Sequence, residues 1–296
     1  MVAAPAAAKR AVPAGVLVAG LLAGVWVPRA PAQAPAPRTQ GWTFTYTAGI
    51  SAGGRAQPGA DITLDVAVWR GIARITPRGG ALRGMTGEGG TILLRSADSV
   101  ISIVNPSRRD ELRVTMAEFG SAMMGGGPGS GVGGASVPMN VTAVRSSVTP
   151  RGAGAPIGTF TTQHVEVDGA YTITVTTPAG SRSLQVTQRQ SLDVSRDVER
   201  LDPGFRAFAD QFIRGFGVPA EVRRKLRQAE RGVPAGFPVR SVTRGMTVAG
   251  TDSVRTERTA TISAPMRAAV DTATFVVPAG FRVTEMSRLL QQRRQP

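Results

Sequence analysis

The chain has no cysteine, one histidine and two lysines, and aromatic residues make up 5% of its 296 positions. Without cysteine there is no disulfide, no thiol redox chemistry and no lipid-attachment cysteine of the bacterial lipoprotein kind. With His164 as the single histidine, a histidine-bearing triad has one place to form. A metal site would rest on carboxylates, and no D-x-D-x-D-G calcium loop occurs. Lys9 and Lys225 are the only lysines among 35 basic residues. The arginines are spread over every segment, without the clustered face, interleaved aromatics or motif of a nucleic-acid binder, so no nucleic-acid partner is expected.

What is present begins with an export signal. Lys9 and Arg10 precede an apolar run from Ala11 to Val27, and Ala30-Pro31-Ala32 follows. Positive flank, short apolar stretch and small-residue site in that order are the secretory signature. The run falls short of the roughly 20 apolar residues of a spanning helix, and Pro13 interrupts it. Residues 1–32 therefore read as a cleaved signal peptide and 33–40 as a Pro/Ala-rich spacer. The mature chain of 264 residues is expected to be soluble and periplasmic or extracellular. Lys9, Arg10 and Arg29 leave with the signal, so the net charge falls from +15 to about +12. That charge favours anionic surfaces such as lipid headgroups or lipopolysaccharide.

From Gly41 the pattern has period two. Trp42, Phe44 and Tyr46 alternate with threonines, and Ile62, Leu64, Val66 and Val68 alternate with Thr63, Asp65 and Ala67. Strict alternation predicts strands with one buried face. Further strands are expected at Gly71–Thr76, Thr91–Arg95, Ser99–Asn105 and Glu111–Ala117, joined by tight turns into an antiparallel meander. A second block covers Val141–Val148, Gly158–Asp168, Ala170–Thr176 and Arg182–Gln190. Asp168-Gly169 predicts a hairpin between HVEV and YTITV, and Pro178-Ala179-Gly180 the next turn. The chain closes with Phe237–Ala249, Ser253–Ala264, Ala273–Val277, Phe281–Met286 and a basic tail, 288–296.

Between the two blocks, residues 123–138 read MMGGGPGSGVGGASVP. Gly129, Gly131 and Gly134 satisfy G-x-G-x-x-G, but a phosphate cradle needs a strand before it and a helix after it. More glycine precedes this one and Pro138 follows, so a flexible loop is expected.

One helical insert is predicted, at about 203–231. Asp202 is a good N-cap and Pro203 suits the first helical position. Phe205, Phe208, Phe212 and Phe216 then recur at helical spacing as an apolar stripe. Pro219 opens a second helix that Gly232 stops. The phenylalanine stripe either fills the concave face of a sheet as core or lines a lipid-sized cavity.

After that insert come GFPVR (Gly236 to Arg240), a hairpin, and TFVVPAGFR (Thr274 to Arg282). This order resembles a bacterial envelope family of unknown function that is similar to the LolA-like lipoprotein carriers. The resemblance runs over Asp202 to Met286 and is architectural before that. It implies a half-open antiparallel barrel wrapped around helices, with an acyl chain or lipoprotein held in the concavity. It carries over no catalytic residue, and the glycine-rich loop has no counterpart in it.

Catalytic readings are few. His164 lies in TFTTQHVEV with Gln163 and Val165 on the opposite face, a strand histidine on a polar face. A general base needs a positioned partner. Asp271-Thr272-Ala273 carries alanine where an aspartic protease has glycine. Asp61 and Asp65 share a strand face without forming an acid–base pair.

The expected class is mainly β with a helical insert: an antiparallel half-open barrel or curved sheet in a single domain, 41–287. The expected function is that of an exported, non-enzymatic envelope protein, with no cofactor and no metal. In one form it holds a lipid or acyl chain against Phe205, Phe208, Phe212 and Phe216 and docks at anionic membranes. In the other, its concave face is packed shut and it acts through a partner surface.

Overall fold

Among the described residues, fourteen strands join in one mixed sheet that does not close. The computed structural model describes residues 38–57, 61–97, 100–115, 139–177, 180–213 and 232–288, with Glu118 and Gln228. The expected signal peptide, the glycine-rich loop at 123–138, Phe216, the second helix apart from Gln228, and all but Arg288 of the tail lie outside them.

The first strands are β1 (Arg38–Ala52), β2 (Arg55–Ala56), β3 (Ile62–Trp69), β4 (Ile72–Pro77), β5 (Thr91–Arg95), β6 (Val100–Asn105) and β7 (Asp110–Thr115). Helix α1 (Gly80–Thr86) sits between β4 and β5. Three long strands follow: β8 (Met139–Ala153), β9 (Gln163–Thr177) and β10 (Gly180–Ser195). The last are β11 (Phe237–Ala249), β12 (Asp252–Ile262), β13 (Met266–Asp271) and β14 (Arg282–Glu285). Their spatial order is β14-β7-β6-β5-β4-β3-β1-β12-β11-β10-β9-β8, with β13 and β2 also on β1. Every pairing is antiparallel except β14 with β7, which departs from the all-antiparallel meander.

Alternation along β1, β3 and β4 buries Phe44, Tyr46, Leu64, Val66, Val68, Ala73 and Ile75 on one face. This inner face holds the main core, and a smaller cluster of Val165, Val167, Leu192 and Val194 continues it under β9 and β10. Strands β12 and β13 share one edge of β1. The register sum shifts by one residue between Tyr46↔Ile262 and Thr43↔Met266, so Ser263-Ala264-Pro265 forms a bulge. Pro265 lacks the N–H that an unbroken ladder needs. The Ser263 backbone N–H donates to Thr45 O at 2.8 Å, and Thr45 N–H donates to Ser263 Oγ at 2.9 Å.

The helical insert begins earlier than its sequence signal. Ser195 caps α2 (Arg196–Arg200), accepting from Val198 N–H. Asp202 caps α3 (Pro203–Ala207), and a π-helical turn, Phe208–Ile213, continues it. Asp202 Oδ1 accepts from Gly204 N–H at 2.8 Å and from Gly71 N–H at 2.7 Å. One carboxylate thus starts the helix and fastens it to the β3–β4 turn. A Cβ on Gly204 would lie 2.6 Å from Val68 Cγ1, so the helix can approach the sheet this closely only with glycine there.

Two expected local elements are corrected. Asp168-Gly169 makes no turn; β9 runs through it unbroken, with Gly169 opposite Gln188 and Ser146. Pairing with long neighbours on both sides outweighs a two-residue turn preference, and the Gly169 backbone stays out of the left-handed region that turn needs. The segment expected as a strand at Ala273–Val277 is instead a 3-10 turn, Thr272–Phe275. Asp271 accepts from Ala273 N–H at 3.0 Å, and Phe275 is buried against Trp69.

Burial pushes the Tyr46 phenol up to about 12, against a weaker downward pull from Arg258. An unfolded tyrosine ionises near 10. Below pH 10 both states keep the proton and stability is intact. Between 10 and 12 only the unfolded chain releases it, so stability falls by up to about 2–3 kcal/mol. Urea melts across this window are expected to show the fall, and Tyr46→Phe to flatten it. The lack of cysteine and near lack of lysine leaves few other groups titrating there.

Candidate functional site

The phenylalanine stripe comes first, since the sequence points to it. Phe205 and Phe208 are fully buried and Phe212 is 1% exposed. They interlock with Phe44, Tyr46 and Phe237. Phe44 stacks on Phe205 at 5.4 Å, Phe208 stacks on Phe212 at 5.3 Å, and Phe237 meets Phe205 edge-on at 5.5 Å. Six of the chain's fifteen aromatic residues therefore sit in one knot where α3 and the π turn meet β1 and β11. Offset and edge-to-face rings at these distances are packed as core side chains pack. Phe216 lies outside the described residues.

The polar features stand on the opposite, outer face. Register carries alternation from β1 through β12, β11 and β10 to β9, so Thr47, Thr261, Arg240, Asp193 and His164 form one row there. His164 Nδ1 lies 2.7 Å from Asp193 Oδ1, and Arg240 Nη1 donates to Asp193 Oδ2 at 3.0 Å. The Asp193 side chain is 7% exposed, against 29% for His164 and 49% for Arg240. A Cβ on Gly154 would lie 2.6 Å from Thr162 Oγ1 and 2.8 Å from Asp193 Oδ1, so glycine is required where the β8–β9 connection covers the carboxylate.

Sequence reading missed this cluster. Beside His164 is a recess of about 510 Å³ bounded in part by Thr161, Thr162 and Pro234. A carboxylate-held imidazole can serve as a base, but the neighbouring hydroxyls are committed. Thr161 Oγ1 donates to Asp197 at 2.5 Å and Thr162 Oγ1 to the Ala155 carbonyl at 3.0 Å. Among the described residues no group of three or more His, Asp or Glu side chains could hold a metal ion. The cluster joins β9, β10 and β11.

Further along the same face, an open trough of about 960 Å³ crosses β8 to β12. Two adjacent rows of side chains define it. In one, Asp168 pairs with Arg189 at 2.9 Å and Glu257 with Arg244 at 2.7 Å. In the other, Arg145 on β8 and Arg255 on β12 stand at the ends, and neither makes an ion pair with another described residue. Ala170, Thr187 and Met246 lie between them. Four arginines thus face two carboxylates. Just outside, the Arg151 guanidinium holds the Glu166 carboxyl below the ordinary carboxylate range.

No protein-family model and no curated protein matches the chain. Among solved structures it is similar to PNGF-II in the P21 space group, at 8% identity and a TM-score of 0.31. That match covers 84% of this chain and 32% of the other. A likeness this distant assigns neither a family nor an activity.

Proposed function

We propose that the protein is an exported, non-enzymatic envelope protein that acts through its outer surfaces over a packed core. The observation that carries this reading is the aromatic knot: Phe205, Phe208 and Phe212 are at most 1% exposed, and each packs against at least two other rings. An acyl chain held in the concavity, as the LolA-like resemblance implies, would have to displace those contacts. Export rests on the order of charge, apolar run and Ala30-Pro31-Ala32. Among the described residues no helix is long and apolar enough to cross a membrane.

Native mass spectrometry of the protein purified from a bacterial periplasm, followed by organic extraction, tests this. A bare polypeptide mass at the length expected after cleavage near Ala32 is the predicted outcome. A reproducible adduct extracting as a lipid would overturn the packed-core reading in favour of a carrier.

A further inference from the structure

We propose that the outer-face trough binds a strand of acidic polysaccharide. The proposal rests on the reading of the protein as an exported module working through its surface, and adds the surface and the chemistry of its partner.

Three properties of the trough select this ligand. First, its charge is positive and partly unspent. Asp168 and Glu257 are each satisfied by their own arginine, while Arg145 and Arg255 make no ion pair with another described residue. An arginine fork matches a carboxylate bidentately and keeps its charge at any physiological pH, so idle guanidiniums in a recess favour carboxylate-bearing or sulfated ligands.

Second, the two are spaced as the ends of a track. They lie in one row, four strand steps apart, which is about 19 Å at normal strand spacing. The small or flexible side chains of Ala170, Thr187 and Met246 lie between them. A single small anion cannot reach both ends, whereas a chain with repeated negative groups can.

Third, among the described residues no aromatic side chain lines the trough. Single-stranded nucleic acid binding relies on rings that stack bases, so this surface suits an anionic chain without bases. A recess also presents less of itself to a flat bilayer than a protruding patch would, which favours a polymer lying along the row over a membrane.

A register shift makes the row possible. Thr142 pairs with Thr172 but Arg145 pairs with Ala170, so one extra residue enters β8 at 143–144, and Ala143 has φ +52°. Without that bulge Arg145 would point to the inner face, because a one-residue slip exchanges the faces of a strand.

Calorimetric titration of the mature protein with polygalacturonate oligomers at low ionic strength tests the proposal. Binding is expected, weakened about tenfold or more in Arg145→Gln/Arg255→Gln. The single change Thr187→Glu, an acid set midway along the row at an exposed position, is expected to weaken it as well. Arg108→Gln/Arg288→Gln removes the same charge from exposed positions elsewhere and is expected to leave affinity unchanged. Equal losses in both double variants would reduce the effect to bulk charge and overturn the proposal. So would absence of binding, or preferential, Arg145- and Arg255-dependent binding to phosphatidylglycerol vesicles. None of these outcomes bears on the lipid adduct that would sink the packed-core reading, so the two fail separately.

Discussion

Phe208→Ala is expected to destabilise the fold by about 3–5 kcal/mol, the cost of emptying a fully buried ring site. Phe208 faces Phe44 at 5.5 Å, Tyr46 at 5.6 Å, Phe212 at 5.3 Å and Phe237 at 6.2 Å. Its loss removes apolar burial and four ring contacts, which place it towards the upper end of that range. Collapse of the surroundings is limited because the neighbouring rings hold one another. Urea denaturation measures the effect as a lower midpoint at unchanged slope. Phe160 provides the comparison: it is half-buried at the margin of the core and, among the described residues, has one ring contact, with Trp42 at 6.5 Å. Phe160→Ala is expected to cost about 1 kcal/mol. Equal losses at the two positions would contradict a core centred on α3 and the π turn.

The second large effect lies on the outer face and is asymmetric. Removing both partners of Asp193, as His164→Leu/Arg240→Leu, is expected to cost about 3–5 kcal/mol, because a carboxylate only 7% exposed is left without compensation. Asp193→Leu removes the same two hydrogen bonds but is expected to cost less. His164 and Arg240 are 29% and 49% exposed and can turn to water, while leucine fills a largely buried position. Thermal or urea melts of the two variants decide the order. If Asp193→Leu proved the more damaging, the carboxylate would be more than a tie between strands.

Most strand positions were legible because period-two alternation survives in the sequence wherever one face is buried. Thr91–Arg95 and Phe237–Ala249 coincide with β5 and β11, and the Asp202-Pro203 start was readable from cap chemistry alone. The His164–Asp193 pair was hidden by one wrong turn. In a two-residue hairpin closing at Thr177↔Gly180, His164 must fall opposite Asp193, since the register does not shift along β9 and β10. A hairpin at Asp168-Gly169 breaks that register and parts the two residues. Arg240 needed the next register as well, and β10 and β11 are separated in sequence by the helical insert. The capping role of Ser195 was obscured because a strand pattern runs directly into it. The trough was illegible for a related reason: Arg145 reaches the outer face only through a bulge, which alternation does not announce.

The order of the described strands stops at β8, and a sheet that stops has a margin. A long, flat margin of unpaired N–H and C=O groups invites a second copy to add itself, and then a third. Strand β8 is poorly suited to such growth. Its pairing slips at Thr142/Arg145 and again at Pro150/Gly152, Pro150 has no N–H to offer, and exposed Arg145 and Arg151 would meet their own kind on an incoming copy. The irregularities that tilt this strand's side chains also disfavour edge-to-edge self-association and fibril growth, in a chain that has no cysteine to fix its shape with a disulfide.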